Sequence, residues 1–266
     1  MRRQILYFVV LSYLLSWSVW LLPVGSAGLS IYLRHVQFSL NIPWAAVTHL
    51  LGNLGPGLAA IILTAKDDGR AGVSTLLRRL MPLRASPQWY LLGILLPIGV
   101  VWFALSIQTW PVHYRPSPDS GAHWLRVFLI NSPFGPLWEE IGWRGYLLSK
   151  LQLRQKGFTS AILVGVIWGP WHLPLYMSQK GVFLALFLIF SLGLSVILAW
   201  IYNATRESLA PPVLLHAATN ATTISLLGAA MATAGMQPFA LVTLILLAVG
   251  LGVLLFAGSD LACTRQ

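Results

Sequence analysis

Acidic side chains are nearly absent from this chain of 266 residues: it has seven, Asp67, Asp68, Asp119, Glu139, Glu140, Glu207 and Asp260. Charged residues of both signs make up 9% of the sequence against 57% hydrophobic, where a globular domain carries about a quarter charged residues. So few charges cannot cover the surface of a water-soluble fold of this size, which excludes a soluble enzyme. Disorder, which needs low hydrophobicity and high charge, is excluded by the same composition. Cysteine is limited to Cys263, so neither an intramolecular disulfide nor a cysteine metal cluster can form. There is no Gly-x-Ser-x-Gly and no His-Glu-x-x-His. The net charge of +10 is scattered between apolar stretches rather than gathered in a patch. That pattern belongs to the basic flanks of membrane helices and argues against nucleic acid as a partner.

Apolar length is what the chain does have. A helix crossing a hydrocarbon layer of about 30 Å needs about 20 residues at ~1.5 Å rise each. Eight segments reach or approach that length, near 5–25, 44–65, 88–108, 123–148, 159–179, 182–203, 210–230 and 237–257. The fourth contains Glu139, Glu140 and Arg144. Arg2 and Arg3 before an apolar run ending in Gly25-Ser26-Ala27 resemble a signal peptide, but the run's length and the spans after it favour a retained signal-anchor helix.

Lysine and arginine divide unevenly between the loops. One set holds twelve: Arg2, Arg3, Lys66, Arg70, Arg78, Arg79, Arg84, Lys150, Arg154, Lys156, Arg206 and Arg265. The other holds four: Arg34, Arg115, Arg126 and Lys180. The positive-inside rule then puts both termini in the cytoplasm. Residues 72–84 set Val73, Leu76, Leu77, Leu80 and Met81 against Arg78, Arg79 and Arg84, and read as a short basic amphipathic helix on the cytoplasmic surface. The expected fold is all-α. It is a polytopic membrane helix bundle of about eight transmembrane helices, N-in and C-in, forming a single integral-membrane domain over residues 1–266.

An ionisable group at membrane depth costs several kcal/mol unless paired or solvated, so it marks a candidate site. Three clusters qualify. In Trp138-Glu139-Glu140-Ile141-Gly142-Trp143-Arg144, Glu140 and Arg144 are four apart on one helical face, with the carboxylate N-terminal to the cation. Glu139 is rotated about 100° away. It is left without that arginine, as a partly desolvated proton acceptor. In Trp168-Gly169-Pro170-Trp171-His172-Leu173-Pro174, Trp168 and His172 share a face, and the two prolines free carbonyls and bend the helix around His172. In Pro211-Pro212-Val213-Leu214-Leu215-His216-Ala217-Ala218-Thr219-Asn220, the prolines suit a helix start and His216 and Asn220 lie one turn apart. Taken singly, each cluster also fits a structural role: counter-ions, a hydrogen-bonded core histidine, an interhelical clamp. Together, a carboxylate, two imidazoles and an amide on three spans make a hydrolase constellation. Glu139 would deprotonate water with help from His172, and His216 and Asn220 would bind the oxyanion.

The order Glu-Glu-x-x-x-Arg, aromatic-x-x-x-His, His-x-x-x-Asn on successive spans resembles the CPBP intramembrane protease family. That family includes the type II CAAX prenyl endopeptidases (the Ras-converting enzyme group) and bacteriocin-immunity homologues. The resemblance covers a core over about residues 122–225. It implies Glu139 as the base, Glu140 and Arg144 as its support, His172 as the second-motif histidine, and His216 with Asn220 as the oxyanion pair. Trp168 stands where phenylalanine is commonest; an aromatic ring is kept, so no change in chemistry is expected. The resemblance also implies a bundle of about eight spans whose cavity opens toward the cytoplasmic side.

These readings lead to an intramembrane endopeptidase, CAAX-prenyl-protease-like, acting on a membrane-associated peptide or protein substrate, lipidated or not, in the bilayer. Location in the cell membrane is expected if the source is prokaryotic. No cofactor is expected; zinc on Glu139, His172 and His216 is the alternative, and Asn220 is a poorer zinc ligand than hydrogen-bond donor. Two other functions fit the same residues: a non-catalytic scaffold or immunity protein, and a proton-coupled transporter using Glu139 and His172 as a relay.

Overall fold

The computed structural model describes residues 2–21, 44–81, 85–109, 116–177, 179 and 181–263, and every regular element among them is helical. Helix α1 is Arg2–Trp20, α2 Trp44–Gly52, α3 Gly55–Arg78, α4 Pro87–Gln108 and α5 Ser120–Asn131. Helix α6 starts as Pro136–Glu140, loosens into a π-helix over Ile141–Leu148 and closes as Ser149–Gln152. Then come α7 (Gly157–Trp171), the single turn α8 (Leu173–Tyr176), α9 (Gly181–Ala204), α10 (Ala210–Ala234) and α11 (Gln237–Ala257).

Five stretches are long and apolar enough to cross a membrane: Val47–Arg78, Pro87–Gln108, Gly181–Ala204, Ala210–Ala234 and Gln237–Ala257. Outward-facing Leu14, Leu95, Phe103, Leu244 and Phe256 give the bundle an apolar exterior, which suits lipid rather than water.

Three of the expected spans are not continuous helices: 44–65 is divided between α2 and α3 at Asn53 and Leu54. The stretch 123–148 breaks between α5 and α6, where Gly135 and Pro136 follow Asn131 and the backbone N–H groups of Phe134 and Gly135 turn back onto the Asn131 carbonyl. The stretch 159–179 ends its regular helix at Trp171, because Pro170 and Pro174 remove amide donors on either side of His172. The expected surface helix over 72–84 instead continues α3 as far as Arg78, beyond a kink at Gly69 (φ 65°). A residue with a Cβ is strained at that φ. Residues 82–84 lie outside the described residues, as do Arg34, Arg115, Lys180 and Arg265 from the loop comparison.

Helix α3 packs against α1 and α6, α9 packs against α7 and α11, and α10 packs against α4 and α5. The α3–α6 crossing is built on glycine. A Cβ on Gly142 would lie 2.6 Å from the Pro56 backbone, and one on Gly57 would lie 2.8 Å from the Trp138 carbonyl oxygen. This close approach of backbones is the small-residue packing expected between membrane helices, and it fixes the segment that carries Glu139 and Glu140.

The two ends of the bundle differ. At one end, Gln4 donates to Asp67 (2.7 Å), Arg79 reaches the Gly145 carbonyl, Ser149, Tyr202 and Glu207, and the Phe158 amide donates to the Ser259 carbonyl (2.9 Å). At the other, Trp20 stacks on His49 and packs at a tilt against Trp171, and Phe183 stacks on Phe239.

Candidate active site

Because α5 and α6 are separate helices, Glu139 sits in the first turn of α6 rather than deep within a span. The partial positive charge of a helix N-terminus favours a carboxylate there. Both glutamates are buried, Glu139 to 3% exposure and Glu140 to 0%.

Glu140 and Arg144 pair as expected, Arg144 Nη1 donating to Glu140 Oε1 at 2.9 Å with neither side chain exposed. The same oxygen accepts from His216 Nδ1 at 2.8 Å. Glu140 therefore holds two partners from two elements. A carboxylate paired with a guanidinium only accepts, so the proton lies on Nδ1 of His216 and Nε2 is left as the second ring nitrogen.

Glu139 is not served by Arg144. It is served by Trp168, whose indole Nε1 donates to Oε2 at 2.8 Å. A phenyl ring at this position would have no N–H to give. Arg144 lies over the Trp168 ring, 4.8 Å from its centroid, and both histidine rings meet that indole edge-on, His172 at 5.6 Å and His216 at 5.2 Å. Trp168 is thus the common wall of the cluster, not only a neighbour of His172.

His172 caps the C-terminus of α7. Its Nδ1 lies 3.0 Å from the Trp168 carbonyl, and since a carbonyl only accepts, Nδ1 carries the proton. Nε2 then faces Glu139 Oε2 at 3.9 Å. That gap exceeds a hydrogen bond, and one water can contact both groups.

Asn220 is on the same face of α10 as His216, but its Nδ2 donates to Asn131 Oδ1 at 3.0 Å, leaving one N–H for another acceptor. Beyond Asn220, α10 widens into a π-helix over Thr223–Leu227. Helix α6, which bears both glutamates, does the same after Glu140, and π-bulges often occur at functional positions.

Glu139, Trp168, His172, His216 and Asn220 all line one cavity of about 860 Å³. Sequence reasoning missed Asn131 on α5, His49 on α2 and Asn53 just after it, which line it too. Their signal was present: each is a polar side chain within an apolar run. Beyond this polar floor the wall is aromatic, with Tyr176, Phe183, Phe187 and Phe239.

Among the described residues, no three His, Cys, Asp or Glu side chains are grouped to hold a metal ion.

Residues 121–222 match the family model for type II CAAX prenyl endopeptidase, Rce1-like. The match is confined to that segment. It runs from the start of α5 to the middle of α10 and contains every residue of the three motifs. The chain is also similar to a protein named CAAX prenyl protease 2 from Methanococcus maripaludis, 31% identical over 88 residues. That alignment covers 29% of this chain and 32% of the relative, so the chain spans about a third of the relative's length. The glycine contact that places Glu139 and the donors around it all fall within or against the matched segment.

Proposed function

We propose that the protein is an intramembrane endopeptidase that hydrolyses a peptide bond by glutamate-activated water, without a metal. The observation that carries this reading is the pairing at the cavity floor. Glu139, fixed by the Trp168 N–H, and His172 Nε2, 3.9 Å away, stand where one water can touch both, opposite His216 and Asn220.

In this mechanism Glu139 takes a proton from water as its oxygen adds to the substrate carbonyl. The oxyanion formed is met by the remaining Asn220 N–H and by His216, which donates from Nε2 when it carries the second ring proton, with Glu140 as its counter-charge. The proton held by Glu139 then passes to the leaving amine, assisted by His172, and the C–N bond breaks. One water is consumed; an acid and an amine are released.

The substrate is a membrane-associated peptide or protein whose apolar or lipidated part lies along the aromatic wall. The name of the archaeal relative supports a protease of this kind. The chain forms one membrane domain around a core over 122–225. It crosses the bilayer eight times, with α2–α3 and α5–α6 each making one crossing from two helices, and both termini are cytoplasmic. In a prokaryote it resides in the cell membrane.

The test is a comparison of peptide termini in membranes expressing wild type or Glu139→Ala. New termini present only with wild type are expected; identical sets would overturn the proposal.

A further inference from the structure

The break between α2 and α3 puts a polar side chain on the cavity. Helix α2 ends at Gly52, α3 begins at Gly55, and Asn53 stands in the turn between them. Both sides of that turn are pinned to the active site. A Cβ on Gly52 would strike the Trp20 indole, whose Nε1 donates to the His49 carbonyl at 3.1 Å. Trp20 lies 4.6 Å from Trp171 between ring centroids, and Trp171 meets the His172 ring at 4.7 Å. On the other side, Gly57 abuts the carbonyl of Trp138, the residue before Glu139. The turn is thus anchored to the start of α6 and to the end of α7, and Asn53 lines the same cavity as Glu139 and His172.

Asn53 is only 5% exposed, yet among the described residues its side chain has no hydrogen-bond partner. Its neighbours on the cavity floor are engaged: Trp168 serves Glu139, Glu140 serves His216, and Asn131 serves Asn220. A buried amide without a partner costs free energy unless a ligand completes it. The asparagine amide offers a carbonyl acceptor beside an NH2 donor. One peptide unit of an extended chain offers the complementary pair, an N–H and a C=O. A peptide unit inside a helix has both groups engaged and offers neither.

We propose that Asn53 binds the main chain of the substrate, through both groups of its amide, beside the bond that Glu139 and His172 attack. Resting on the protease reading above, this names the substrate class: a segment that is extended where it is cut, selected by its backbone rather than by one side chain. A proline or an N-methylated residue at the bound position has no N–H to give and is held more weakly. Asn53 lies outside residues 121–222, so the family match does not include it.

The test uses full-length protein in phosphatidylcholine vesicles and, as probe, an acylated apolar hexapeptide with analogues N-methylated at one peptide bond at a time. Binding is measured on Glu139→Ala, so that it needs no turnover. Methylation at one position is expected to weaken binding about three- to tenfold, the loss of an ordinary hydrogen bond. Adding Asn53→Leu should weaken the parent probe by a similar factor and erase the difference at that position. Equal methylation profiles with and without Asn53→Leu, or no binding of the parent probe, overturn the inference. The unfolding midpoint of Asn53→Leu is expected to equal or exceed wild type, since a buried unpaired amide is replaced by an apolar group of the same shape; a lowered midpoint would make Asn53 an interhelical clamp and overturn it too. The same probes given to protein with Glu139 intact separate the two readings. The binding pattern without cleavage removes the protease reading and leaves Asn53 a peptide-binding residue. Cleavage with a KM that Asn53→Leu does not raise overturns the role of Asn53 and leaves the protease reading standing.

Discussion

His216 Nδ1 and Glu140 Oε1 are 2.8 Å apart across two helices, on the same oxygen that holds Arg144. Glu140 therefore orients an imidazole as well as satisfying a guanidinium. Truncating either partner should disturb the same step. Glu140→Gln and His216→Ala are each expected to lower kcat by about 10²-fold or more, and the double variant to lose little beyond the worse single, as residues acting as a unit are non-additive. Multiplicative losses in the double variant would show that the two act separately.

Trp168→Phe keeps the aromatic ring under Arg144 and removes only the N–H that Glu139 accepts. A hydrogen bond to a charged group contributes about 1.5–3 kcal/mol, so kcat should fall roughly ten- to hundredfold. KM and the thermal unfolding midpoint should change little. Unaltered kcat would mean that the indole N–H has no part in placing the carboxylate.

Arg144 is fully buried with Glu140 and Trp168 as its partners. Arg144→Met leaves Glu140 buried without its cation, which costs about 3–5 kcal/mol. The variant should fail to accumulate in membranes or unfold well below wild type in detergent. A variant as abundant and as heat-resistant as wild type would contradict this role.

Much of this site was legible in the sequence because periodicity alone puts Glu140 beside Arg144 and His216 beside Asn220. The same periodicity left Glu139 without that arginine, and the structure agrees. What could not be read were contacts between helices. Trp168 meeting Glu139 across 29 residues and Glu140 meeting His216 across 76 depend on how α6, α7 and α10 pack. The breaks at Gly135-Pro136 and around His172 were also hidden, since an apolar count passes over a turn whose backbone groups are satisfied by Asn131.

Gly142→Ala probes the helix crossing beneath the site. Its Cβ would meet Pro56 backbone at 2.6 Å, and the helices would have to part. Overpacking of this kind costs about 1–3 kcal/mol, which should appear as a lowered unfolding midpoint with activity lost alongside it. An unchanged midpoint would show that the crossing yields freely.

The donor arrangement also bears on metal. Purified active protein should contain no stoichiometric zinc, and prolonged chelation should leave its turnover unchanged. Stoichiometric zinc whose removal abolishes activity would replace the glutamate mechanism.

The most direct measurement is the turnover of Glu139→Gln on a cleaved peptide identified from membranes, with the purified protein reconstituted in lipid. General-base catalysis contributes about 10²–10⁴-fold, so kcat should drop within that range while KM holds and the protein stays folded. A kcat within about twofold of wild type, well short of what general-base catalysis supplies, would contradict the role given to Glu139 and the mechanism built on it.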